Sequence, residues 1–289
     1  MINAFMDLTW CDPRLAYEPS HGMQHQIYLE ENAIEKLAKI WWPDVTFPNQ
    51  VGPREAENHE LIIHPDGTVE YEETFTVRLE ANFDLYQFPF DRQKLEVEIE
   101  SFAWPQHILQ LHRETHKIGF GDQFELPEWH TVGLTTEIRS VKEVRDRDTF
   151  SEFIMMIDVE RQYGFYLWKI LLPLLLLVMI SWVVFWMTET EVHDRMGISF
   201  IGLLTVVAYQ FIATENLPAI SYFTLMDGII STSFAVMILS VFENLVVHVL
   251  ITRDEKSRAE RLDRMCRWLF PLAYVVVIVV VCILYLVFP

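Results

Sequence analysis

The sequence predicts an extracellular antiparallel β-sandwich of Ig-like type followed by a transmembrane bundle of four helices. Three observations carry that prediction. Apolar residues make up 51% of the 289, but they crowd after Gln162, where eight Lys/Arg stand against ten Asp/Glu. The first 162 residues hold 14 Lys/Arg against 31 Asp/Glu and so carry most of the net charge of −19. That acidic part alternates apolar and polar side chains at the two-residue period of half-buried strands. Four later segments approach the roughly 20 apolar residues needed to cross a bilayer core. Residues 1–162 are therefore read as the sandwich domain and 163–289 as the membrane domain.

Within the first domain, Glu30–Lys39 has the 3.6-residue spacing of one helix. In "ELIIHPDGTVEYEETFTVRLE", Asp66-Gly67 marks a hairpin turn, and Val69, Tyr71, Phe75, Val77 and Leu79 form the apolar face beyond it. "KLEVEIESF" repeats the alternation, with Leu95, Val97 and Ile99 inward and Glu96, Glu98 and Glu100 outward. "EFIMMIDVERQYGF" reads as a last strand running into the first span. Short strands separated by turns point to a sandwich.

The spans are expected at about 165–187, 196–214, 222–251 and 268–288. Arg253, Lys256, Arg258, Arg261, Arg264 and Arg267 fall in one short link between the last two, which makes that link cytoplasmic. Four crossings then put the N-terminal domain and the C-terminus outside, extracellular or periplasmic. The start, "MINAFMDLTWCDPR", lacks a basic head followed by an apolar run, so the expectation is either an incomplete N-terminus or an unusual route of export. Cys11, Cys266 and Cys282 supply no disulfide framework for the outer domain.

"WCDPRL" (Trp10–Leu15), "WWPDVTFPN" (Trp41–Asn49), "FPFDRQ" (Phe88–Gln93), "LLPL" with Pro173, and "LPAISYFTLMD" (Leu217–Asp227) occur in this order ahead of and among the four spans. The chain thereby resembles the pentameric ligand-gated ion channels, the Cys-loop receptor superfamily, along almost its whole length. Ala81 and Leu95 stand where animal members carry the bridging cysteines, which resembles the bacterial branch. "HPDGTV", "FPFDRQ", "YLW" and "LTVVAY" are most like its amine-gated members. Against the family pattern, the first strand and the β1–β2 loop are expected to be missing.

The resemblance implies a homopentamer in a lipid bilayer, with the second span turned toward a shared axis. On a helix, Gly197, Ile201, Leu204, Ala208, Phe211 and Glu215 follow at steps of three and four and share one stripe. Periodicity alone reads this equally as a packing seam or a pore stripe. In a pore, the apolar members form constrictions that stop ions by dewetting, and Glu191, Asp194 and Glu215 form acidic rings at the mouths. Such rings, and a strongly acidic outer domain, favour permeant monovalent cations.

For the ligand, the resemblance implies a site between neighbouring outer domains: Phe5 on the complementary side, Glu100 and Phe102 after the FPFD strand, and Phe150 on the C-loop hairpin. A carboxylate among aromatic rings suits a small cationic amine, although Phe102 and Phe150 are equally readable as core. Protons are the alternative agonist. Asp91 and Arg161 match positions that meet at the membrane interface and couple the ligand domain to the pore, with Pro218 and Tyr222 as their contacts.

No cofactor is expected. His107, His112 and His116 offer a weak zinc pattern without supporting cysteines. No phosphate-binding loop or nucleophile elbow occurs, and the acidic charge argues against a nucleic-acid partner. The chain is read as a channel and not an enzyme, with a non-conducting membrane receptor or assembly subunit as the other function class.

Overall fold

The computed structural model describes residues 1–19, 25–114, 118–121, 124–142, 148–187, 192–215 and 220–287, without the side chains of 192–196, 199 and 212–215. The chain forms two compact units. One comprises Met1–Phe83, Lys94–Glu125 and Thr131–Val159; the other comprises Asp84–Gln93, Leu126–His130 and Glu160–Pro289. The FPFD loop therefore counts with the helices.

The first unit is a two-sheet antiparallel sandwich. One sheet has β1 (Ile2–Cys11), β5 (Thr68–Val77), β4 (Glu55–Ile63) and β2 (Gln26–Leu29) in that order. The other has β3 (Val45–Thr46), β6 (Arg92–Ser101), β8 (Thr149–Arg161) and β7 (Trp129–Lys142). The alternation in β5 becomes the inner face: Val69, Tyr71, Phe75 and Val77 are buried with Met6, Leu61, Ile63 and Val97. Helix α1 (Glu31–Leu37) covers this core with Ala33 and Leu37. The expected turn at Asp66-Gly67 is present. Gly67 has φ +87°, and a Cβ there would lie 2.6 Å from the Asp12 carbonyl oxygen. Only glycine meets both demands without strain. The Asp12 N–H donates to the Gly67 carbonyl at 2.9 Å, so the turn is seated on the "WCDPRL" segment.

The second unit is built on four helices: α2 (Gly164–Trp186), α3 (Val192–Glu215), α4 (Leu225–Thr252) and α5 (Lys256–Val287). Its core joins Phe88 of the FPFD loop to Tyr166, Leu174 and Val178 of α2, Val206 of α3, Leu225, Met226 and Met237 of α4, and Cys266 and Tyr274 of α5. Three of the helices are long and apolar enough to cross a membrane; α3 is the exception, its apolar run covering Phe200–Phe211.

Three helix starts differ clearly from the expected ones: the second begins at Val192 and not at 196, and the other two have a local cause. The third helix begins at Leu225 and not at 222, because Thr224 caps it: its hydroxyl accepts from the Asp227 N–H while Asp227 accepts from the Thr224 N–H, a reciprocal box. The fourth begins at Lys256 and not at 268, so most of the basic link is helical. Arg258, Arg261, Arg264 and Arg267 are good helix formers with no glycine or proline among them, and the helix propagates through them.

Candidate functional site

Helix α3 has two faces. Val206 is buried and Gly202 packs against Met237 of α4, 3.3 Å from where its Cβ would be. On another face, Gly197, Ile201, Leu204, Ala208 and Phe211 are all exposed, with Ile201 at 68%, Leu204 at 71% and Phe211 at 70%. A single chain therefore leaves uncovered the stripe that the sequence singles out. Glu191 lies outside the described residues, as do the side chains of Asp194 and Glu215.

Pro173 explains how α3 is held. A proline lacks an N–H and clashes with the carbonyl four residues earlier. The chain meets this with a π-helical turn at Leu167–Leu171. The Tyr209 hydroxyl of α3 then lies 2.6 Å from the Ile170 carbonyl oxygen and 3.2 Å from that of Lys169. Tyr209, within the "LTVVAY" motif, thus supplies the donor that the proline removed. Sequence reasoning did not assign it this role; the signal available was the carbonyl that Pro173 must orphan, with its need for a hydroxyl on a neighbouring helix.

Asp91 and Arg161 meet. The Arg161 guanidinium donates Nε to Asp91 Oδ1 at 2.7 Å and an Nη to Oδ2 at 3.1 Å. Its centre lies 4.1 Å from the Trp129 ring centroid and 4.9 Å from that of Phe88. Gln93 donates to Asp91 Oδ2 at 2.6 Å and to the Asp84 carbonyl at 2.6 Å. The side chains of Arg161 and Asp91 are 8% and 2% exposed, so this pair is desolvated and over-determined.

The same loop is gripped by the segment after α3. Tyr222 accepts from the Leu85 N–H through its hydroxyl at 2.8 Å, and the Leu225 N–H donates to the Tyr86 carbonyl at 3.0 Å. Tyr86 also stacks on Tyr285 near the end of α5, centroids 4.6 Å apart. Pro218 lies outside the described residues. Trp129, Tyr86 and Tyr285 are additions that no motif in the sequence announced, since each acts by position across distant elements; Gln93 closes the FPFDRQ motif but was given no role there.

The ligand candidates separate by burial. Phe5 on β1 is 84% exposed and Phe102, just after β6, is 60% exposed. Glu100 and Phe150 are interior, at 2% and 3%. The alternation predicts that Glu100 points outward; β6 loses its alternation at its end, where Glu100 and Ser101 are both buried and Ser101 donates to the Pro43 carbonyl. The C-loop residues 143–147 lie outside the described residues. A surface cavity of about 390 Å³ beside Phe150 is lined by Gln106, His107, Gln110, Asp148 and Thr149. His116 lies outside the described residues, and among those described no three His, Cys, Asp or Glu side chains converge on a point.

A second polar cluster lies inside the first sheet. Glu73 is 1% exposed and accepts from Arg54 at 2.6 Å and from the Tyr71 hydroxyl at 2.8 Å. His59 Nδ1 is 2.8 Å from that hydroxyl. A phenol has one hydrogen, and here it goes to the carboxylate, so His59 Nδ1 is the donor to the Tyr71 oxygen. Burial, and then the hydrogen bond to Glu73, push the Tyr71 phenol well above its ordinary pKa. A bulge between Glu57 and Glu60, with Asn58 at φ +56°, turns His59 toward the cluster.

Comparison with known proteins bears on both units. Residues 1–163 match the model of the neurotransmitter-gated ion-channel ligand binding domain. Residues 170–258 match that of the neurotransmitter-gated ion-channel transmembrane region. A proton-gated ion channel of Gloeobacter violaceus is 28% identical over 285 residues, covering 98% of this chain and 77% of that protein. The gamma-aminobutyric acid receptor subunit rho-2 of Mus musculus is 30% identical over 275 residues, 89% of this chain. The theta subunit of the same organism is 28% identical over 271 residues, 92% of this chain. The chain spans 56% and 41% of the length of these two mammalian relatives.

Proposed function

The chain belongs to the neurotransmitter-gated ion-channel family, and from that premise we propose that it is a subunit of a homopentameric, ligand-gated, cation-selective channel whose pore is lined by α3. The observation that carries the proposal is the uncovered stripe Gly197, Ile201, Leu204, Ala208 and Phe211 on a helix whose other face is packed. Five such stripes around an axis enclose water with apolar rings at Ile201, Leu204 and Phe211. These are the constrictions that close by dewetting. Glu191, Asp194 and Glu215 then stand near the ends of this helix as carboxylate rings that concentrate cations.

Opening is driven through the FPFD loop. Its backbone is held by Tyr222 and Leu225 after α3, and its Asp91 by Arg161 ahead of α2. A displacement of this loop pulls at once on the chain entering α2 and on the chain leaving α3. For the agonist, the exposed rings of Phe5 and Phe102 are the surfaces that a small amine between neighbouring subunits can meet; Glu100 and Phe150 support them from inside. The test is current recording from the protein reconstituted in bilayers, with a panel of primary amines and a pH series. Amine-evoked cation current supports the reading; saturable amine binding without current under any condition supports the non-conducting receptor.

Proton gating is the second reading. It is favoured by the buried His59–Tyr71–Glu73–Arg54 cluster, which holds ionisable groups away from water in the outer sheet. The similarity to a protein named as a proton-gated ion channel adds to it. Current evoked by acid alone, and abolished by His59→Gln with the fold intact, separates this reading from the amine.

A further inference from the structure

We propose a binding site for a divalent transition-metal ion on the solvent face of the first sheet, with His25 and His64 as its ligands and Glu70 as the residue that orients His64. The site lies wholly within the outer unit, so it is independent of whether the protein conducts.

Its origin is the pleat of three neighbouring strands. Tyr28 of β2, Leu61 and Ile63 of β4, and Val69 and Tyr71 of β5 turn into the core. Their neighbours along each strand therefore stand on the opposite face. The β2–β4 register pairs Gln26 with Ile63 and Ile27 with Ile62. Continued by one residue, it sets His25 opposite His64, and side chains so opposed are about 4.5–5.5 Å apart at Cβ. The two imidazole centroids are 5.5 Å apart, with the rings tilted by 57° and not stacked. His25 is exposed and His64 partly so, which leaves the pair open to an ion from solution.

The position of His64 is fixed by the hairpin it opens. Its N–H donates to the Thr68 carbonyl at 2.8 Å, and its carbonyl accepts from the Gly67 N–H at 3.0 Å. Across the hairpin, Glu70 Oε1 lies 3.2 Å from His64 Nε2. A carboxylate there keeps the ring proton on Nε2, so Nδ1 holds the free lone pair that a metal takes. A carboxylate on the far nitrogen of a ligating histidine is the usual way such a ring is held and made more basic. Asp66 serves the turn instead, accepting from the Thr68 N–H at 2.9 Å. Two imidazoles select transition ions such as Cu2+ and Zn2+ over Ca2+ and Mg2+, which require oxygen ligands. Water completes the coordination. Glu60 and Glu72, opposed on the same face, add negative charge that draws a cation in. Once bound, the ion ties β2, the last strand of this sheet, to the hairpin of β4 and β5.

The test uses the full chain, purified in detergent and freed of metal with a chelator, and Cu2+ as the probe, because its paramagnetic spectrum counts the nitrogens around it. One Cu2+ per chain is expected to bind ahead of any other, with the splitting of two imidazole nitrogens. His25→Gln or His64→Gln should weaken this first equivalent by about tenfold or more and leave one nitrogen. Glu70→Gln should keep both nitrogens and weaken binding about tenfold, which separates orienting a ligand from being one. Zn2+ should displace Cu2+ only in excess, following the ordinary order of affinities, and Ca2+ should not displace it. Cu2+ should also raise the thermal unfolding midpoint of the parent protein but not that of the double histidine variant. Both histidines stand on the solvent face, so without metal that variant should unfold at the parent's midpoint, and spectra are taken well below it. A first equivalent with the same affinity and spectrum in parent and double variant overturns the site, since the ion then sits elsewhere. Displacement by an equal concentration of Ca2+ also overturns it, because carboxylates are then the ligands. His107→Gln, outside the first sheet, should leave the first equivalent unchanged.

Discussion

At Arg161 two kinds of contact act on one guanidinium: a two-bonded carboxylate, and the faces of the Trp129 indole and the FPFD phenylalanine Phe88. Removing one partner of such a pair leaves a charge where water cannot reach it, and this costs about 3–5 kcal/mol. Arg161→Gln is therefore expected to lower the thermal unfolding midpoint of the detergent-solubilised protein markedly. Arg161→Lys should recover part of the loss, because an ammonium keeps the charge but neither the fork nor the flat stacking surface. Two carboxyls at the hairpin give a different residue-scale expectation. Hydrogen bonds from Arg14 hold Asp12 below its ordinary pKa, and the Thr68 N–H does the same for Asp66. Because these folded values are depressed, their stabilisation is complete above the unfolded value of about 3.9 and is lost as pH falls through the lower folded value. Outer-domain unfolding followed between pH 5 and 2 should steepen at the acid end, and Asp66→Asn should flatten that slope.

Among the elements, the pairing of Pro173 with Tyr209 shows how a defect in one helix fixes a neighbour. The proline takes one donor from α2, and the phenol on α3 offers its single hydrogen there, 2.6 Å from the Ile170 carbonyl oxygen and 3.2 Å from that of Lys169. In hydrocarbon there is no water to take that place. Tyr209→Phe should cost about 0.6–1.7 kcal/mol, read as a lower unfolding midpoint, and should loosen the pore helix where it leans on α2. Leu204→Ser tests the opposite face. It sits on the uncovered stripe, so stability should hardly change, while a polar ring lowers the cost of wetting the pore. A shift of about 1.4 kcal/mol in the closed-to-open balance is about tenfold in that equilibrium and is read as a lower agonist concentration at half-maximal current; an unchanged response removes Leu204 as the gate. The helix stripe and the β5 alternation were legible because each is a periodic pattern written locally. So was the Asp66-Gly67 turn, since its φ demands glycine. The burial of Glu100 was not legible, because it depends on how β6 ends against the Pro43 carbonyl. Nor was the Trp129 ring over Arg161, a contact between residues that no period relates. The helical start of α5 at Lys256 was hidden by reading charge as a link, although arginine propagates a helix as well as leucine does.

For the whole molecule, charge is the property that the proposed assembly of five identical chains would multiply. The first 162 residues hold 14 Lys/Arg against 31 Asp/Glu, so the proposed ring of five would concentrate the same sign on one side of the membrane. Surface charge of that density raises the local cation concentration and with it the conductance, but it is screened within about 8–10 Å at physiological salt. Selectivity has to come from charges closer to the axis than that. Glu215 at one end of the pore stripe and Glu191 and Asp194 at the other are the sequence's candidates, and Arg195 beside them belongs to the same helix. The two contributions separate by ionic strength. In a KCl gradient the reversal potential should lie near the potassium value and stay there as salt is raised, because the mouth rings act at short range. Single-channel conductance should instead lose its surplus over the bulk expectation as salt rises. Glu215→Gln should move the reversal potential toward zero with little effect on the salt dependence of conductance. Neutralising an exposed carboxylate of β4, Glu55→Gln, should do the reverse. A reversal potential near the chloride value in the parent protein would remove the cation assignment while leaving the pore helix itself in place.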